Sequence, residues 1–383
     1  MIYNSIMKEI KRSIYIPKEL KKNKVLVIYG PRQVGKTTTL RSFLKDFKGE
    51  YKYYVGDDSK FANAMNRCDL DEFRLMFEGL DLLVIDEAQK ITNIGRAVKL
   101  IVDNIEDIQV ILTGSSSLDL ANRTGESLTG RKHVVTMYPV SQTEMLSLDS
   151  QWEVENRLPE TLVYGSYPAV LMKKTHDEKS ELLRELVDSY LLKDILAFDL
   201  VKNSNTVRKL LQLLAFQVGS EVSLNELGNS LDVDKNTVAR YIDLLEKSFV
   251  IFTLGGLSRN LRKEVSKSRK YYFYDLGIRN TVISNLNPID VRDDVGGIWE
   301  NFLMIERMKR NRYTSVYPNY YFWRTYDGKE IDLIEEIGGR LYGYEFKWSK
   351  SKKNSNSKEF LNTYDNASFE IVTKEKYFDF VRY

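Results

Sequence analysis

The chain has 383 residues, 43% hydrophobic and 29% charged, enough for ordinary hydrophobic cores and too long for one ordinary domain. One cysteine, Cys68, and two histidines, His133 and His176, exclude an internal disulfide, a thiolate metal cluster and a multi-histidine site. The net charge of +3 does not by itself mark a nucleic-acid partner, so local distribution must decide.

The first residues carry Lys8, Glu9, Lys11 and Arg12 and lack an apolar signal core. No apolar run reaches the length of a membrane span, so the expectation is a cytoplasmic protein with no membrane partner. Tyrosine occurs 24 times, partly in runs such as Tyr271-Tyr272-Phe273-Tyr274 and Tyr320-Tyr321-Phe322-Trp323 that suit buried strands.

Lys24 to Tyr29 reads as a buried parallel strand, and Thr38 to Leu44 as a helix. Between them, Gly30-Pro31-Arg32-Gln33-Val34-Gly35-Lys36-Thr37 matches G-x-x-x-x-G-K-[ST] in the strand–loop–helix context the motif requires. Gly30 and Gly35 permit the tight bend that turns successive N–H groups, on to Thr38, toward phosphate oxygens. Lys36 would offset β/γ-phosphate charge and Thr37 would ligate Mg²⁺. The expected ligands are therefore ATP or ADP with Mg²⁺.

Leu82 to Glu87 is an apolar strand ending in two carboxylates, at the sheet end where α/β proteins bind ligands. Asp86 would hold Mg²⁺, and Glu87 would act as general base on the attacking water. Asn93 to Asn104 reads as a helix, and Val110 to Ser116 as another buried strand with small polar residues at its end. Thr113 and Ser115 there are site candidates, although a plain strand-to-turn transition uses the same residues. Ser127-Leu128-Thr129-Gly130-Arg131 places Arg131 after a glycine turn, with Arg123 nearby. Either arginine suits a γ-phosphate contact supplied by a neighbouring subunit of a homo-oligomer, and either suits a structural ion pair. Alternating strands and helices predict a parallel sheet that ends near Tyr138-Pro139-Val140-Ser141.

Trp152 to Lys202 is helical in pattern, with an apolar stripe of Leu182, Leu183, Leu186, Val187, Tyr190 and Leu191. Thr206 to Val218 reads as a helix, and a second begins at Ser223, with Glu226 at the capping-box position. Asp234 to Leu245 follows as a third helix and Phe249 to Leu254 as the strand of a wing. In a DNA-binding version Lys235, Asn236, Thr237 and Arg240 face DNA; in the other version the module only packs. Arg259, Arg262, Lys263, Lys267, Arg269 and Lys270, against Glu264 alone, form a basic run that suits a phosphate-binding loop or a solvated linker.

Beyond Tyr274, Gly297 to Glu306 suits an amphipathic helix, followed by strands at Tyr320 to Thr325, Gly328 to Ile334 and Leu341 to Trp348. Glu345 and Lys347 share one strand face, and Asp332 on the adjacent strand can meet them. With Glu300 from the helix, or Glu306 second, these carboxylates would hold metal while Lys347 stabilises developing charge. Exposed hairpin charges are the plain alternative.

The whole chain resembles the bacterial and archaeal AAA-like ATPases that carry a C-terminal PD-(D/E)XK, restriction-endonuclease-like domain. The resemblance rests on the Gly30–Thr37 loop, Val84-Ile85-Asp86-Glu87-Ala88-Gln89, Leu112-Thr113-Gly114-Ser115-Ser116, Leu128-Thr129-Gly130-Arg131 and Tyr138-Pro139-Val140-Ser141. It continues through Trp299-Glu300-Asn301, Trp323-Arg324, Glu330-Ile331-Asp332 and Glu345-Phe346-Lys347. It implies an α/β chain: a P-loop NTPase parallel sheet at 1–145, a helical lid or linker at 146–203, a winged helix at 204–257 and a nuclease-like α/β domain at 258–383. In AAA-type ATPases a polar residue called sensor 1, here Thr113 or Ser115, positions water near the γ-phosphate. The implied function is an ATPase that couples nucleotide state to DNA binding or metal-dependent cleavage. The competing function is a nucleotide-switched binding or signalling protein whose nuclease-like domain is inactive.

Overall fold

β1 (Val25–Tyr29) is apolar and buried along its whole length, as a parallel strand covered on both faces must be. The computed structural model describes residues 10–22, 24–115, 128–191, 203–259, 269–349 and 356–383, without the side chains of 189–191 and 356. It divides into two compact units, one on Arg12–Pro139 and one on Val140–Glu246 with Val250–Tyr383.

In the first unit β1 joins β2 (Tyr51–Val55), β3 (Leu82–Asp86), β4 (Gln109–Gly114) and β5 (Lys132–Thr136). All pairings are parallel, in the order β2-β3-β4-β1-β5. The inner strands β1, β3 and β4 are the apolar ones, while the edge strands β2 and β5 are only partly covered. Helices Ser59–Arg67, Leu70–Phe77 and Ile94–Asn104 bury Phe61, Phe73, Phe77, Val98 and Ile101 against Leu83, Ile85, Val110 and Leu112. Each such aliphatic or aromatic side chain contributes roughly 1.5–3 kcal/mol when fully buried. Asp58 and Asp69 start the first two of these helices by accepting backbone N–H bonds.

The second unit opens with short helices, including Leu158–Tyr164 and His176–Glu185. Leu183, Leu186 and Val187 of the expected stripe are buried, while the side chains of Tyr190 and Leu191 lie outside the described residues. Helix Ser204–Phe216, the two-residue β6 (Glu221–Val222), helices Leu224–Leu231 and Lys235–Lys247, β7 (Ile251–Gly256) and β8 (Arg269–Phe273) follow in order. Ser223 stands at the start of its helix, yet its side chain makes no capping bond. Asp234 does cap the next helix, accepting from the backbone N–H groups of Asn236 and Thr237.

β9 (Asn319–Arg324), β10 (Glu330–Ile337), β11 (Arg340–Lys347) and β12 (Ala367–Thr373) complete a seven-stranded sheet ordered β12-β11-β10-β9-β7-β8-β6. β7 pairs antiparallel with β8 and parallel with β9, so strands from either side of residue 257 share one sheet. Helix Val295–Tyr313 packs on it through Trp299, Phe302 and Leu303, all buried. Among the described residues, no helix is long and apolar enough to cross a membrane.

The basic run needs a correction. Arg262, Lys263, Glu264 and Lys267 lie outside the described residues, but Lys270 is no solvated linker residue. It begins the buried part of β8 and is 2% exposed, its charge compensated by Glu330 of β10 and by Glu300 of the helix packed on the sheet.

Candidate functional site

Strand β1 delivers the chain into a loop whose backbone only glycine tolerates at its hinges. Gly30 has φ 152°, and a Cβ there would lie 2.1 Å from the Met137 carbonyl oxygen. Gly35 has φ 96° and stands at the N-cap of helix Lys36–Asp46, where no side chain caps the first turn. Gln33 is also left-handed. The result is a concave run of N–H groups at the positive end of a helix, an arrangement suited to phosphate. Lys36 closes the loop by donating to the carbonyls of Gly30 at 2.8 Å and Pro31 at 2.7 Å. Arg12 braces it from behind, its guanidinium donating to the carbonyls of Val34 and Tyr138.

Parallel pairing in register sets the ends of β1, β4 and β3 side by side. Thr37 donates to Asp86 Oδ2 across 2.7 Å, and Tyr53 from β2 donates to the same oxygen across 2.6 Å. Burial, then the hydrogen bond to Asp86 and its charge, raise the Tyr53 phenol above its ordinary range, with Arg41 opposing. Thr113, next to the end of β4, stands between the two motifs: its hydroxyl donates to Asp86 Oδ1 and accepts from the Glu87 N–H at 3.1 Å. Glu87 adopts φ 54°, a conformation that costs a non-glycine residue about 1 kcal/mol and clusters at functional sites. Gln89 donates to the Glu87 carboxylate and, at 3.1 Å, to the Ser115 hydroxyl.

Lys36, Thr37, Asp86, Glu87, Thr113 and Ser115 are thus joined through neighbouring strand ends. Thr37 and Asp86 offer oxygen donors 2.7 Å apart, a set that fits Mg²⁺. Arg131 is elsewhere. Its carbonyl accepts from Val25 N–H at the start of β1, the opposite end from the loop, roughly 15 Å away for a five-residue strand. Its side chain pairs with Asp103 at 2.7 Å. Arg123, Ser116 and Ser127 lie outside the described residues.

The carboxylates of the second unit also converge. Asp332 Oδ2 accepts from Phe346 N–H at 2.7 Å, and Glu345 pairs with Lys347 at 2.7 Å. Glu300 reaches the same face and accepts from Tyr272 at 2.6 Å and Lys270 at 3.1 Å. Burial first, then the charge of Glu300, raise Asp332 to about 8, with Lys270 pulling the other way. Glu306, the second choice from the helix, belongs to another group, accepting from Lys309 at 2.7 Å and from Gln142 N–H at 2.8 Å. The fit to metal is poor. Among the described residues no three His, Cys, Asp or Glu side chains form a group able to hold a metal ion.

Sequence reading missed Arg12, Tyr53, Lys270 and Tyr272 as site residues. Arg12 and Tyr53 carry no local signal. Lys270 and Tyr272, two apart on β8, share a face by strand periodicity, and that was the available signal.

Residues 22–146 match the family model described as an AAA domain. The first unit is an AAA-type P-loop fold. Residues 155–289 and 295–380 match two further models, each described as a domain of unknown function. An uncharacterized protein of Mycobacterium bovis is 28% identical over 340 residues, spanning 87% of this chain and 72% of that protein. An uncharacterized protein of Methanocaldococcus jannaschii is 26% identical over 322 residues, spanning 79% and 70%. Among solved structures, the replication initiator DnaA bound to AMPPCP and single-stranded DNA aligns at 19% identity, over 60% of this chain and 84% of that one, with a TM-score of 0.30.

Proposed function

We propose that this chain binds and hydrolyses ATP with Mg²⁺ and couples its nucleotide state to DNA binding. The observation that carries the reading is the junction of Lys36, Thr37, Asp86, Glu87 and Thr113 at the ends of three adjacent strands. Lys36 exchanges the Gly30 and Pro31 carbonyls for phosphate oxygens when nucleotide enters. Thr37 and Asp86 would hold Mg²⁺, which offsets charge on the β- and γ-phosphates. Glu87 accepts the proton of the attacking water, and the products are ADP and phosphate. Thr113 keeps the Asp86 carboxylate and the Glu87 backbone in register.

The DNA part of the reading rests on residues 204–257 as a winged helix. Helix Lys235–Lys247 leaves Lys235, Asn236 and Arg240 exposed, whereas Thr237 donates to Asp234 and serves the cap. The C-terminal sheet then serves as a binding surface, because its carboxylates fit metal poorly. Fluorescence anisotropy of labelled duplex DNA with no nucleotide, ADP and ATP tests the coupling. Affinity should differ between ATP and ADP in the wild type and lose that difference in Lys36→Ala. Identical affinities in all states would remove the coupling from the proposal.

A further inference from the structure

One face of the seven-stranded sheet carries Lys270 and Tyr272 from β8, Glu330 and Asp332 from β10, and Glu345 and Lys347 from β11, with Glu300 supplied by helix Val295–Tyr313. β8 and β10 are not neighbours, since β7 and β9 lie between them. Lys270 crosses that gap. Its ammonium stands 3.1 Å from Glu300 Oε1, contacts Glu330, and lies 5.5 Å from the centre of the Phe322 ring on β9. The residue paired with Phe322 on β7 is Gly256, which puts no side chain on the route.

An ammonium 2% exposed is sustained only by carboxylates held against it. The reverse also holds, for these acids have their cation inside the chain. A divalent ion shared by Glu300 and Glu330 would need the space the Lys270 ammonium fills, and two cations there would repel. The remaining oxygens are engaged as well. Tyr272 donates to Glu300 at 2.6 Å, Phe346 N–H to Asp332 at 2.7 Å, and Lys347 pairs with Glu345 at 2.7 Å. Mg²⁺, with its near-ideal octahedral demand, has little to bind.

We infer that Lys270 is a built-in cation, whose ammonium takes the place of a divalent metal among Glu300, Glu330 and Asp332. The acidic cluster is then a metal-free electrostatic node, and Lys270 is its central residue. The inference is independent of the ATPase reading and stands or falls without it.

Mn²⁺ binding to the nucleotide-free full chain, followed by the paramagnetic resonance of the free ion, tests this. The wild type should show no saturable site that Glu300→Gln or Asp332→Asn removes. Lys270→Met, checked for native circular dichroism, should gain one site per chain, tighter than any wild-type binding by about tenfold to 100-fold. The double variant Lys270→Met/Asp332→Asn should lose it again. A wild-type Mn²⁺ site abolished by Glu300→Gln or Asp332→Asn overturns the inference, and that measurement decides even if Lys270→Met fails to fold. A folded Lys270→Met that gains no site overturns it equally. A wild-type site that survives both acid substitutions belongs elsewhere in the chain and leaves the cluster metal-free, as inferred.

Discussion

Tyr53 donates its hydroxyl to Asp86 Oδ2 over 2.6 Å, on the same oxygen that accepts from Thr37. The edge strand β2 thereby sets the orientation of the carboxylate expected to receive Mg²⁺. Because burial and Asp86 raise the phenol's pKa, Tyr53 keeps its proton and remains a donor throughout the working pH range. Tyr53→Phe should raise the Mg²⁺ concentration for half-maximal ATP hydrolysis by about tenfold, the usual cost of removing a group that orients a metal ligand. A Mg²⁺ titration of the steady-state rate checks this, and an unchanged midpoint would remove the orienting role.

Thr113 links the two acids at the end of β3, Asp86 through its side chain and Glu87, the next residue, through its backbone. Thr113→Val keeps the shape and leaves the Glu87 N–H without that acceptor, at a cost of about 1–3 kcal/mol. Turnover should fall by roughly tenfold to a hundredfold while ATP affinity changes little. Equilibrium nucleotide binding measured beside the hydrolysis rate separates the two, and equal falls in both would contradict a positioning role.

The nucleotide loop was legible because its information is local. Gly30, Gly35, Lys36 and Thr37 lie within eight residues, and the two glycines sit where the backbone turns left-handed. The acids Glu300, Asp332 and Glu345 were legible too, since residue type and strand periodicity bring them to one face. Their neutralisation was not. Lys270 lies in a stretch of basic residues that reads as a solvated run, and only the β8-β7-β9-β10 order carries its ammonium to Glu300 and Glu330. Arg131 stands at the end of the sheet away from its own chain's loop, a placement compatible with the expected contact to a neighbouring subunit's phosphate as well as with its ion pair to Asp103.

Lys235 and Arg240 stand exposed on the Lys235–Lys247 helix. If that helix binds DNA, Lys235→Ala/Arg240→Ala should weaken duplex binding and reduce the slope of log affinity against log salt by about 1 for each phosphate that is no longer neutralised. Anisotropy titrations between low and moderate salt give that slope. Parallel lines for wild type and variant would place the interface elsewhere.

Asp294 receives two guanidinium groups, Arg292 at 2.8 Å and Arg279, both nearly fully buried. Burial alone raises its carboxyl, but the two arginines outweigh burial and hold it at about 2, below the usual ~3.9. Its contribution to stability is therefore present above about pH 4 and is lost as pH falls toward 2. Asp294→Asn should cost about 2–3 kcal/mol at pH 7 and flatten the stability profile across that acid window. Urea unfolding at a series of pH values measures both effects, and a profile parallel to wild type would contradict the depressed carboxyl.

The most direct test of the nucleotide reading is the fate of radiolabelled ATP on the Glu87→Gln variant with Mg²⁺. The wild type should convert bound ATP to ADP and phosphate, and Glu87→Gln should retain intact ATP with hydrolysis slowed by about a hundredfold or more. ADP formed at the wild-type rate by Glu87→Gln would contradict the assignment of Glu87 as general base, and with it the catalytic account of this site.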